Sequence, residues 1–149
     1  MAEQRDNPYG AFNFQVSLQN GDETSVVGGF SDVSGLGTEI NYSEYRNGSE
    51  KANTVRKIAN TFKQEDVTLK RGLIGSKDLF DWIKLVREGG KNTRQVTITL
   101  LDEARKEVAF FHLLNAQPKK WVGPTLAAKG GGEVAMEELH LVHEGITYE

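Results

Sequence analysis

QVTITLLDEARKEVAFFHLLN, residues 95–115, carries the strongest structural signal in the chain. QVTITLLD and EVAFFHLLN are both strand patterns, and the charged run Asp102-Glu103-Ala104-Arg105-Lys106 between them reads as the turn of a hairpin. In the second half, Val108, Phe110, His112 and Leu114 take one face, and Ala109, Phe111 and Leu113 take the other. A strand apolar on both faces is either sandwiched or meets a partner on one of them.

Strand patterns continue on both sides of this hairpin. Upstream, in AFNFQVSLQ, Phe12, Phe14, Val16 and Leu18 alternate with Asn13, Gln15 and Ser17, and Asn20-Gly21-Asp22 follows as a tight turn. Val26-Val27 leads through two glycines into FSDVSGLG, and EINYSEY gives a third strand. TFKQEDVTLKRG places Phe62, Val67 and Leu69 in an extended segment. The one helix follows: Ser76 is the expected N-cap, Asp78 suits the first turn, and Leu79, Trp82, Ile83 and Val86 recur at helical spacing before Gly89-Gly90. Downstream, a final strand is expected from about Val134 to His143, with a bulge where the apolar phase changes between Met136 and Leu139. The sum is a mainly-β sandwich or barrel of six to eight strands with one flanking helix, in a single domain over residues 1–149.

Composition narrows the function. The chain has 149 residues, no cysteine and a net charge of −3. Disulfides and thiolate metal sites are therefore excluded. A pI near 5.7 argues against nucleic acid as the main ligand. The polar N-terminus MAEQRDNPYG predicts no secretory signal, and no stretch approaches the roughly 18 apolar residues of a membrane helix.

The candidate chemistry is sparse. His140 and His143 stand at i and i+3 on an expected strand, where side chains alternate and the two would diverge, so no metal site is expected. Lys129-Gly130-Gly131-Gly132-Glu133 lacks the following Lys-Ser/Thr and helix of a phosphate loop; Gly72 to Lys77 precedes a helix but lacks the Walker spacing. No G-x-S-x-G occurs. The reading is of a protein that is not an enzyme and takes no cofactor.

What remains is YRNGSEKANTVRKIANT, Tyr45 to Thr61, a polar connection too long for an ordinary loop. Arg46, Lys51, Arg56 and Lys57 against Glu50 give it +3 on a chain of −3. Tyr45, Val55 and Ile58 punctuate it. Scattered apolar anchors with one charge sign suit docking on an acidic neighbour, and the rest of the chain is acidic. The plainer readings are a disordered loop or a solvent-exposed hairpin.

Several segments in order, NPYGAFNFQVSL, GFSDVSGLGTEINYSEYRNG, LKRGLIGSKDLFDWI and KKWVGPTLAAKGGGEVAMEELHLVHEGI, resemble the tail-tube proteins of contractile phages and related injection systems. The resemblance covers most of the chain, with the VSGL…EYRNG and LKRG…DW blocks carrying most of the weight. It implies the fold shared with the tube proteins of type VI secretion. It also implies hexameric rings stacked into a hollow tube, which a contracting sheath drives through a target envelope. Partners would be further copies of the chain, a contractile sheath protein, and baseplate, spike and tube-terminating proteins, with no membrane anchor. Nucleic acid or protein would be cargo in the lumen, and assembly would take place in the bacterial cytoplasm as part of a phage tail or tail-like particle. The alternative is a ring-forming secreted effector or carrier of the same fold. In the family the loop after the EYR-G block reaches adjacent subunits. That role carries over to Glu44, Tyr45, Arg46, Asn47 and Gly48, with Lys51, Arg56 and Lys57 following in the arm. Where many members carry a Pro-Gly pair before the LKRG strand, this chain has Ile58-Ala59-Asn60-Thr61. Asn13, Gln15, Ser17, Thr97 and Thr99 are the expected lumen-facing positions.

Overall fold

The computed structural model describes residues 5–20, 23–26, 29–46, 48, 55–73, 75, 77–90, 92–130 and 134–149. In chain order these form β1 (Phe14–Asn20), β2 (Glu23–Val26), β3 (Phe30–Ser34), β4 (Thr38–Tyr45), β5 (Arg56–Gln64), β6 (Val67–Gly72), α1 (Asp78–Arg87), β7 (Arg94–Leu101), β8 (Glu107–Val122), β9 (Met136–Val142) and β10 (Gly145–Tyr148). An eight-stranded sheet runs β2-β1-β7-β8-β9-β6-β3 with β10 beside β8, and β4 and β5 form a separate two-stranded sheet. The mainly-β class with one helix is as expected. The strand count exceeds six to eight because the end of the basic arm, from Arg56 onward, is strand β5 and the C-terminal segment is two strands, not one.

β8 is what folds the sheet over on itself. Its first half pairs with β7 and β10, whereas Gln117 to Val122 pair with β9. Between the two halves Asn115 has φ 49°, a left-handed conformation that asparagine tolerates. Gln95 Nε2 donates to its Oδ1 at 3.1 Å, and its own Nδ2 donates to Glu144 Oε2 at 2.7 Å. The ladder with β7 shifts register at this point, so the strand changes direction without ending. A second shift lies between Pro118 and Lys120, a place where a residue without an N–H is tolerated. The strand expected over EVAFFHLLN therefore runs on past Asn115 to Val122, with Asn115 and Pro118 as bends in it.

The core fills the space between the two layers. Val16, Leu18, Val96, Ile98 and Leu113 from one side meet Val67, Leu69, Leu139 and Leu141 from the other, and Leu79 and Trp82 of α1 join the same cluster. Fully burying each such side chain is worth about 1.5–3 kcal/mol. Trp82 Nε1 donates to Asn92 O at 2.8 Å, and the Arg94 guanidinium lies 4.6 Å from the Trp82 ring. Burial there lowers the Arg94 pKa from its ordinary value. Asp78 and Asp81 sit in the first turn of α1, where acids favour the helix dipole. The N-cap is Lys77, not Ser76, which lies outside the described residues. Gly89, at φ 96°, turns the chain away after the last turn.

The bulge expected between Met136 and Leu139 is not there. β9 pairs with β6 without a break from Met136 to Leu141. Glu137, Leu139 and Leu141 are buried in strict alternation. The apparent change of phase arose because the buried residue at 137 is a glutamate, paired there with Arg71 of β6.

Candidate assembly surface

Among the described residues β4 and β5 pair only with each other, and every residue from Thr38 to Lys63 described in these two strands is exposed. An isolated two-stranded ribbon is marginal in water. This one nevertheless carries large apolar side chains: Phe62 is 71% exposed, and Ile40, Tyr42, Tyr45 and Ile58 are exposed beside it.

The register sorts these side chains into two faces. Thr38 opposes Gln64, Ile40 opposes Phe62, Tyr42 opposes Ala59, and Glu44 opposes Lys57. Residues directly opposite share a face, so Ile40, Tyr42 and Phe62 form one apolar patch. The other face carries Asn41, Ser43, Tyr45, Ile58 and Arg56, with Ser43 opposite Ile58 and Tyr45 opposite Arg56. Asn41 Nδ2 donates to Thr61 Oγ1, and Asn60 Nδ2 donates to Ser43 Oγ, each at 3.1 Å. The ladder shifts between Ile40 and Tyr42, where Asn60 and Thr61 together face Asn41. Ile58-Ala59-Asn60-Thr61 is therefore a bulged strand, and no turn is made where many family members have Pro-Gly.

The sequence-predicted contact residues gather at the far end of this ribbon. Glu44 and Tyr45 end β4, Arg46 follows, Gly48 lies in the connecting turn, and Arg56 and Lys57 open β5. Asn47 and Lys51 lie outside the described residues. Lys57 Nζ and Glu44 Oε1 form an ion pair across the strands. Its hydrogen bond holds the Glu44 carboxyl below the usual carboxylate range. Two of the residues proposed to meet a neighbour thus neutralise each other within one copy. The expected loop, Tyr45 to Thr61, is a strand from Arg56 onward, which agrees with the plainer reading of an exposed hairpin. Sequence reasoning missed the apolar patch, because Ile40 and Phe62 flank the polar stretch on either side and meet only through the strand register.

Elsewhere, Gln15 pairs with Thr99 and Ser17 with Thr97, which sets the four on the face of the sheet opposite Val16 and Ile98; Thr99 is nevertheless buried, against the expectation that it faces a lumen. His112, paired with Thr97 in β8, joins that face and meets Thr97 Oγ1 at 3.1 Å. Asn13 lies before β1 and donates to Asp102 O at 3.4 Å. His140 is engaged by Thr68 and Glu138, and His143 by two main-chain carbonyls. Among the described residues no three His, Cys, Asp or Glu cluster in a way that could hold a metal ion. An apolar groove of about 470 Å³ opens beside β3, lined by Phe14, Val33, Leu36, Ile98, Leu100 and Phe111 among others.

A sheet body that projects an exposed, partly apolar hairpin has the form of a subunit built to be covered. The family model of the T4-like virus tail tube protein gp19 matches residues 10–147. The chain belongs to that family, and is a structural protein of the inner-tube class. The fold is similar to a chain in the cryo-EM structure of the anti-feeding prophage (AFP) baseplate, 6-fold symmetrised, with a TM-score of 0.86 and 23% identity over 97% of both chains. It is also similar to a chain of the extracellular contractile injection system PVC sheath-tube complex in the extended state, with a TM-score of 0.82 and 26% identity over 97% of this chain and 93% of that one. Hcp1 from Flavobacterium johnsoniae shares the fold more distantly, with a TM-score of 0.53 and 11% identity over 90% of this chain and 94% of that one. The curated protein sequences contain no match.

Proposed function

We propose that this chain, a single tail-tube domain, assembles with copies of itself into hexameric rings that stack as the inner tube of a contractile tail or tail-like injection particle. Its role is mechanical, without catalysis or a cofactor. A contractile sheath surrounds the tube, baseplate and terminating proteins bound its ends, and assembly takes place in the bacterial cytoplasm. The observation that carries this reading is the β4–β5 hairpin, exposed on both faces and bearing the Ile40, Tyr42 and Phe62 patch. The hairpin would reach a neighbouring copy through Glu44, Tyr45, Arg46, Gly48, Arg56 and Lys57, and Asn47 and Lys51, which fall between them in the sequence, would take part in the same contact. Ring closure would also cover the edges of the main sheet, which a free copy leaves open at β2 and β3. The face carrying Gln15, Ser17 and Thr97 would line the lumen, small and polar side chains giving cargo little to adhere to.

Negative-stain microscopy of the purified protein tests this. Tubes with a regular axial repeat are the expected result. Isolated rings under all conditions would favour a ring-forming secreted carrier instead, and monomers alone would overturn both.

A further inference from the structure

The groove beside β3 is an opening in the core. Phe14 of β1, Leu100 of β7 and Phe111 of β8 line it from one layer, and Val33 of β3 and Leu36 just after it line it from the other. Ile98, which also borders it, is a core residue only 3% exposed, and Phe14, Val33, Leu36 and Phe111 are packed against the same core. The apolar interior therefore continues to the surface between the two layers. No described side chain fills that space of about 470 Å³. Its size falls in the range of about 300–1,000 Å³ that binding pockets occupy.

The same chain carries a projecting counterpart. Ile40, Tyr42 and Phe62 share one face of the β4–β5 ribbon, and none of them lines the groove of its own copy. An apolar patch without cover and an apolar groove without an occupant are different surfaces of one molecule. Two copies can satisfy both only head to tail, each giving its patch and receiving its neighbour's, which is the contact that builds rings or filaments. Charge favours the same pairing. The described hairpin carries Arg46, Arg56, Lys57 and Lys63 against Glu39 and Glu44. On the groove's rim Lys70 is paired with Glu138, whereas Asp32 is exposed and in no ion pair among the described residues, so the rim offers a carboxylate to a basic visitor.

We propose that this groove is the receptor for the hairpin: Phe62, with Ile40 and Tyr42 beside it, enters the groove of a second copy and closes that copy's core. The proposal rests on the reading that the hairpin joins copies, and adds the surface that receives it. Phe62 is the anchor because it is 71% exposed and aromatic, the kind of side chain that dominates a desolvated interface pocket.

Photo-cross-linking of the full chain tests this. Phe62 is replaced by the photoreactive p-benzoylphenylalanine, which keeps an aromatic ring at the position. This protein is assembled with unreactive ¹⁵N-labelled copies, so that mass spectrometry separates links between copies from links within one. Links between copies are expected on Ser31 to Leu36, on Ala11 to Phe14, or on Phe111. Ala11→Trp in the labelled copies places a bulky side chain on the exposed rim, outside the core. With circular dichroism unchanged, it should lower the yield at least about tenfold, as loss of an interface anchor does. Leu85→Trp, on the exposed side of α1, should leave the yield unchanged. Links to another surface of a second copy, or an undiminished yield with Ala11→Trp, would overturn the groove as receptor while the hairpin still joins copies. The absence of any link between copies would overturn both readings.

Discussion

Arg71 Nε lies 2.5 Å from Glu137 Oε1, and both side chains are only 2% exposed. The two residues are direct cross-strand partners on β6 and β9. Arg71 also reaches Asp78 Oδ1 at 2.5 Å, and Asp78 Oδ1 accepts from the Leu79 N–H at 3.1 Å. Trp121 Nε1 donates to the second oxygen of Glu137 at 3.1 Å. One buried network thus joins two strands, the start of the helix and the far half of β8. Burial works against the Arg71 charge, but the hydrogen bonds from Asp78 and Glu137 outweigh it and hold the guanidinium pKa above its usual value.

Removing one partner leaves a buried charge without its complement. Glu137→Ala should cost about 3–5 kcal/mol in urea unfolding. The double change Arg71→Met with Glu137→Leu should cost less than the two single changes together, since it removes both charges. Strict additivity would contradict the network.

Gly35 tests the junction from which the hairpin departs. Its φ is 86°, and a Cβ placed on it would stand 2.1 Å from Asp66 O. Gly35→Ala should therefore destabilise by more than about 2 kcal/mol, combining left-handed strain with a main-chain collision. Gly89, at φ 96° with open space around it, serves as the comparison, and Gly89→Ala should cost about 1–2 kcal/mol. Equal losses in thermal unfolding would mean that the close approach at Gly35 relaxes freely.

The N-terminal segment is tethered by an acid-sensitive contact. Arg5 donates to both oxygens of Glu103, at 2.9 and 3.0 Å, in the turn between β7 and β8. The Arg5 hydrogen bond lowers the Glu103 pKa from 4.5 to about 2. A folded-state pKa below the unfolded one means that the stabilisation is complete above about 4.5 and disappears as the pH falls through about 2. The Glu103 carboxyl carbon, followed by NMR, should titrate well below an ordinary glutamate and return to the ordinary range in Arg5→Ala. An unchanged titration in that variant would remove Arg5 as the cause.

Much of the fold was legible because burial imposes a period. β1 and the β7–β8 hairpin have one face in the core, so Val16, Leu18, Val96 and Ile98 announce themselves by alternation. β5 has neither face in the core of its own copy, so no period is imposed on it. Its bulge further hides the pattern: Ile58 and Phe62 lie four residues apart, yet fall on opposite faces because Asn60 and Thr61 share one position in the ladder. In β9 the concealment is chemical, since a buried glutamate looks like a surface residue until its arginine is known. The basic end of the hairpin was legible as a charge cluster, but the Glu44–Lys57 ion pair within it depends on strand register, which the sequence leaves open.

The central claim is that this hairpin joins one copy to the next. The most direct measurement is negative-stain microscopy of Arg46→Glu, Arg56→Glu, Lys57→Glu protein beside the wild type, with circular dichroism to confirm that both are folded. The three positions are exposed, so the fold should survive. The account predicts long tubes from the wild type and isolated rings or monomers from the variant. Long tubes from a folded variant would contradict it.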